Sequence, residues 1–107
     1  MGWIKVVGIG PGHEKDMTKR AVEALKQCDT IIGYITYINL IKPIIQGKEI
    51  ASSGMRQEVD RCKKALEIAK KGKKVCVICS GDPGIYGMAG LILQLAQEQG
   101  DKVDIEI

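Results

Sequence analysis

The sequence predicts an α/β domain built on a parallel sheet of about five strands with helices on both faces. Three observations carry that expectation. Short apolar, β-branched runs alternate with longer stretches whose apolar residues recur every three or four positions, and strand–helix alternation closed by right-handed crossovers yields a parallel sheet covered on both sides. Two glycine-rich loops, GIGPG at 8–12 and SGDPG at 80–84, directly follow two of the strand-like runs, at the carboxyl ends where such sheets bind ligands. Finally, 107 residues of which 45% are hydrophobic suffice for one compact core but not for two domains of ordinary size. Residues 1–107 therefore read as a single domain.

Residues 3–8 form an apolar run ended by glycine, the pattern of a buried strand. From Met17 onward Ala21, Ala24, Leu25 and Cys28 mark one face of a helix, with Asp16 available as its N-cap. Residues 30–32 make a brief β-branched strand closing at Gly33, and 34–45, with two tyrosines and Pro43, carries no clear period. A weak third strand at 48–51 precedes the longest helix. Its core face is marked by Met55, Val59, Cys62, Leu66 and Ala69 and its end by Gly72. A strand at 75–79, the SGDPG loop and a helix near 86–99 follow, with Met88, Leu91, Ile92 and Leu95 inward and Gly100 as the stop. Residues 103–107 alternate apolar and polar, as a strand polar on one face does.

The net charge of +3 is modest, and the lysines cluster at 63, 64, 70, 71, 73 and 74, on and just after the long helix. Cations near a helix C-terminus are favoured by the helix dipole. No aromatic side chain interleaves with them to stack bases, so the cluster reads as a solvated face and nucleic acid is not an expected partner. No apolar run approaches the roughly 18 residues of a membrane span, and a soluble, cytoplasmic protein is expected. Cys76 and Cys79 form a CxxC, but inside a strand positions three apart point to opposite faces. All four cysteines, including Cys28 and Cys62, read as compact core residues, and no metal site is expected.

The two loops hold the chemistry. GIGPG begins like the dinucleotide fingerprint GxGxxG, but its sixth position is His13, and Pro11 has no N–H to offer a phosphate. Gly33 and Tyr34 occupy the place where a ribose-binding acid is required. No Gly-Lys-Ser/Thr follows either, which excludes a P-loop. What remains is a sharp turn that lets a ligand approach the main chain closely. SGDPG sets a carboxylate, a proline and two glycines at the mouth of a strand. It reads either as a turn in which Asp82 caps a helix opened by Pro83, or as a cradle whose backbone holds an adenosyl ligand while Asp82 meets hydroxyl or ammonium groups. Gly87 and Gly90 continue on one helix face, each at about 1 kcal/mol against alanine, which suggests close packing against backbone or ligand.

A first strand running into VGIGPG, the turn at 53–57 and SGDPGIYGMAG at 80–90 resemble the tetrapyrrole methyltransferases that use S-adenosylmethionine. Within them the likeness is to the precorrin-3B or cobalt-precorrin-3 C17-methyltransferases of cobalamin biosynthesis, and it runs through the whole chain. The resemblance implies the N-terminal domain of a two-domain enzyme, with cofactor in the cleft between the domains. It implies S-adenosylmethionine contacts from Pro11, Ser80, Gly81, Asp82 and Ile85, and a tetrapyrrole cleft floored by Gly8, Gly10 and Gly12. It further implies C17 methylation of a corrin precursor with ring contraction, and a homodimer at full length. An aspartate that some relatives carry after the second strand's tyrosine has no carboxylate counterpart at Tyr34 or its neighbours, so no general base carries over. Methyl transfer to an electron-rich carbon depends chiefly on alignment and exclusion of water, which makes Tyr34, Tyr37 and His13 candidates for substrate contact. The bland readings are an exposed loop histidine and packed tyrosines with wet hydroxyls. Two other functional classes stay open at this point: a non-catalytic adenosyl-binding module, and a small redox or metal protein using Cys76 and Cys79.

Overall fold

β-branched and apolar residues fill both faces of the central strands because a parallel sheet is covered on both sides. The computed structural model describes residues 2–9, 17–54, 58–79, 82–100 and 104–106; the side chains of Ser53, residues 82–86 and Gln99 are outside the description. Strands β1 (Trp3–Gly8), β2 (Thr30–Tyr34), β3 (Glu49–Ser53), β4 (Lys74–Cys79) and β5 (Asp104–Glu106) form one parallel sheet in the order β3-β2-β4-β1-β5. In β4 every residue after Lys74 is buried. The third strand begins and ends slightly later in the chain than the expected 48–51.

Helices α1 (Lys19–Gln27) and α2 (Ile35–Leu40) cover one face, and α3 (Glu58–Lys70) and α4 (Asp82–Gln99) the other. Strand alternation divides the core accordingly. Val75, Val77 and Cys79 pack with Cys62, Leu66, Met88 and Ile92, while Cys76 and Ile78 pack with Leu25, Ile31 and Ile38. Cys76 and Cys79 thus lie on opposite faces of the sheet, as their spacing requires. The stretch without a clear period, 34–45, resolves into the end of β2, α2 and one 3-10 turn, Lys42–Ile44.

Two caps bear on expectation. Helix α1 starts at Lys19, and Thr18, not Asp16, is its N-cap: the Ala21 N–H donates to Thr18 Oγ1 at 3.0 Å. Gly72, with φ of 91°, follows α3 and supplies the left-handed turn expected there. Val59 is not part of the core. It is 44% exposed, and Arg61 with Cys62, Ala65, Leu66 and Ala69 forms the buried stripe of α3. Gly33 does not close β2; it sits inside the strand, where a Cβ would collide with Ile78 Cγ1 across the neighbouring strand.

Candidate functional site

The strand order places a switch point at the centre of the sheet. From β1 the chain crosses by way of α1 toward β2, to one side; from its neighbour β4 it crosses by way of α4 toward β5, to the other. The two connections leave adjacent strands on opposite faces of the sheet, and the crevice between such connections is where ligands bind in open parallel sheets. Register brings together at this crevice the strand ends that lead into the two glycine-rich segments. Gly8, the last residue of β1, pairs with Cys79, the last of β4, and the Ile9 N–H extends the pairing by donating to the Cys79 carbonyl at 2.9 Å.

Of the residues singled out from the sequence, Gly8 is at that junction, and Asp82 and Ile85 are on the first turn of α4. Pro11, Gly10, Gly12, His13, Ser80 and Gly81 lie outside the described residues, as does Met55. Tyr34 and Tyr37 are brought together at the carboxyl end of β2. Their ring centroids are 5.5 Å apart at an interplanar angle of 89°, an edge-to-face pair.

The two tyrosines form one wall of a cavity of about 380 Å3. Ile78 and Cys79 from the end of β4 also line it, with Gly87, Met88 and Leu91 of α4. Apart from the backbone of its own helix and its chain neighbours, no heavy atom of the described residues lies within 4 Å of the Cβ that Gly87 or Gly90 lacks. Neither glycine is therefore demanded by packing among the described residues, and the open space at Gly87 belongs to the cavity.

Two charged residues that sequence reasoning missed complete the wall, Glu58 and Arg61. The Arg61 side chain is only 8% exposed; its Nη1 donates to the Gly54 carbonyl at 3.1 Å, and its Nη2 lies 3.6 Å from Glu58 Oε1. Glu58 is 55% exposed although its spacing aligns it with the buried stripe of α3, because it faces the cavity. Nearby thiols carry no charge at neutral pH. Burial pushes Cys79 up to about 12 and Cys62 up to about 11. On the opposite face, the hydrogen bond with Cys28 and burial push the Cys76 thiol up as well. Among the described residues the site is thus an apolar cleft lined by an aromatic pair and a buried guanidinium, at the carboxyl end of β4. It is suited to binding and aligning a ligand with apolar body and anionic arms.

Comparison with known proteins agrees with the fold. A 45% identical relative, a probable cobalt-factor III C(17)-methyltransferase of Salmonella typhimurium, matches over 104 residues, 97% of this chain and 42% of its own length. The crystal structure of the methyltransferase CobJ superposes with a TM-score of 0.87 at 36% identity, covering 100% of this chain and 45% of that one. The uroporphyrin-III C-methyltransferase of Thermus thermophilus, solved with S-adenosyl homocysteine, shares the fold, with a TM-score of 0.73 at 24% identity over 99% of this chain and 47% of that one. The chain spans less than half the length of these proteins. The family model for tetrapyrrole (corrin/porphyrin) methylases matches residues 4–107, and the chain belongs to that family.

Proposed function

We propose that this domain contributes the first half of the site of an S-adenosylmethionine-dependent methyltransferase that acts at C17 of a corrin precursor, cobalt-factor III or precorrin-3B, with ring contraction, in cobalamin biosynthesis. The observation that supports the reading is the switch-point crevice, where Gly8 and Cys79, the strand ends that lead into the two glycine-rich segments, pair with each other. S-adenosylmethionine supplies the methyl group when bound. Pro11, Ser80, Gly81, Asp82 and Ile85 are the residues proposed to hold it, backbone groups of the loops doing most of the binding. Gly8, Gly10 and Gly12 let the macrocycle approach the main chain, and Tyr34 and Tyr37 bound its cleft.

The reaction asks for alignment of a carbon nucleophile behind a methyl carbon in a dry cleft, and holding two reactants in that geometry is itself a large part of the rate. No residue is assigned as general base. The greater length of the relatives favours a second domain that closes the cleft. A homodimer at full length and a cytoplasmic location complete the proposal; among the described residues no helix is long and apolar enough to cross a membrane.

The test is turnover by the full-length protein. Incubation with methyl-labelled S-adenosylmethionine and cobalt-factor III is expected to yield a labelled corrinoid heavier by one methyl group in mass spectrometry, together with S-adenosylhomocysteine. Binding of S-adenosylmethionine with no labelled product from cobalt-factor III or precorrin-3B would replace the enzyme by an adenosyl-binding module.

A further inference from the structure

We infer that Arg61 is the anion anchor of the cleft, a positioning residue that takes one carboxylate arm of the tetrapyrrole while Glu58 turns out to solvent. The inference rests on the proposed substrate class and adds to it the residue that fixes how the macrocycle lies.

Four observations converge on it. First, the Arg61 side chain is almost wholly removed from solvent yet borders a cavity, not the close-packed core. Second, its contact with Glu58 is loose: 3.6 Å is beyond hydrogen-bonding distance, and Glu58 is more exposed than buried. A loosely held carboxylate is one that an incoming carboxylate can displace. Third, the described lining around it is largely apolar and aromatic, Tyr34, Tyr37, Met88 and Leu91 among it, so an ion pair formed there is screened less than one on the surface. Fourth, Gly87 leaves the space in front of α4 open.

The cavity, about 380 Å3, is at the small end of the roughly 300–1,000 Å3 of ligand pockets. It has room for an acid arm and the ring edge bearing it, not for a whole macrocycle. Corrin precursors carry acetate and propionate arms around the ring, and a guanidinium matches a carboxylate with two parallel hydrogen bonds. One arm docked at Arg61 fixes the rotation of the ring about its own axis, which decides which carbon faces the methyl donor. The Gly54 carbonyl holds the guanidinium in place from behind. Neutral Cys79 and Cys62 do not compete as anions for it.

The probe is uroporphyrin III, a fluorescent, unreactive tetrapyrrole with eight carboxylates, titrated into the full-length protein. Arg61→Met is expected to weaken binding roughly tenfold or more, the loss that a charge-assisted hydrogen bond implies, with Arg61→Lys intermediate. S-adenosylhomocysteine affinity by calorimetry and the unfolding temperature are expected to stay at wild-type values. Glu58→Gln removes a loosely held carboxylate beside Arg61 and is expected to tighten uroporphyrin, a gain that a purely structural ion pair would not produce and a readout that survives if Arg61→Met fails to fold. Wild type that does not bind uroporphyrin, Arg61→Met binding within about twofold of wild type, parallel loss of both ligands, or weaker binding in Glu58→Gln would each overturn the assignment. The two readings fail separately. Uroporphyrin binding that depends on Arg61 without methyl transfer to a corrin precursor sinks the proposed activity alone. Methyl transfer with an unchanged KM for the corrin precursor in Arg61→Met sinks the anchor alone.

Discussion

The amino ends and the carboxyl ends of the same strands are finished in opposite ways. At the amino ends main-chain and side-chain hydrogen bonds tie the elements together around a polar surface depression lined by Asp29, Lys48, Glu49 and Lys73. The Asp29 carboxylate accepts from the Lys74 N–H at 3.0 Å, the Asp29 N–H donates to the Lys74 carbonyl at 2.8 Å, and the Glu49 N–H donates to the Asp29 carbonyl at 3.1 Å. Lys48 Nζ donates to the carbonyls of Lys26 and Cys28, both at 2.8 Å, at the end of α1. Thr30, whose buried hydroxyl has no hydrogen-bond partner among the described residues, is the exception. At the carboxyl ends a cavity opens, glycines face empty space, and a buried arginine meets a half-exposed glutamate. One end serves stability and the other keeps room for a ligand. Substitutions of the same kind should then differ in sign between them.

Gly2→Ala carries the largest expected effect. A Cβ there would run into the carbonyl oxygens of Ala69 and Lys73, which are main-chain atoms that cannot rotate away. Overpacking of that kind costs about 1–3 kcal/mol. The denaturant midpoint should fall with an unchanged slope; an unaltered midpoint would mean that the amino end is looser than its contacts indicate.

Lys48→Met follows. The ammonium holds two of the carbonyls that a helix end leaves without internal partners. Part of that interaction is exposed to water, so the expected loss of stability is about 1–2 kcal/mol. The Lys48→Arg variant keeps the charge and should recover part of the loss in the same unfolding measurement. Equal stability of Lys48→Met and the parent protein would reduce the contact to a surface ornament.

The Lys48 contact also marks where sequence reading stops. Strands and helices were legible because burial on both faces forces continuous β-branched runs such as the one ending at Cys79, and because α3 repeats its apolar residues at helical spacing. Strand alternation was enough to separate Cys76 from Cys79, but residues 82–84, read as part of a loop before a helix near 86–99, are the first turn of α4. What a residue meets across the fold was not legible. Gly33 looks like a terminator in one dimension and is an accommodation to Ile78 in three. Glu58 and Arg61, charges in the first turn of an amphipathic helix, look like solvated ends; only the packing of α3 beside β4 and α4 makes them walls of a cavity. Val59 was misplaced for the converse reason, since an apolar residue at the margin of the stripe is pulled inward only if the helix extends over the sheet there.

The smallest expected effect is the most discriminating, because it sets two glycines of one helix against each other. Beyond their own helix, neither Gly87 nor Gly90 meets a heavy atom of the described residues within 4 Å of its missing Cβ, but of the two only Gly87 lines the cavity. Alanine removes the conformational freedom that glycine retains in the unfolded chain, so Gly87→Ala and Gly90→Ala should each stabilise the protein by about 0.5–1 kcal/mol. If the cavity is a ligand site, the two must then part company: Gly87→Ala should weaken uroporphyrin binding and raise the KM for the corrin precursor, and Gly90→Ala should leave both unchanged. A stabilised Gly87→Ala with full affinity would show that the glycine is spared for nothing in the cleft. A destabilised one would show that some other part of the full-length protein packs against α4 at that point. The expected result, higher stability with lower affinity at 87 and not at 90, would establish that the openness of this end is kept for the ligand.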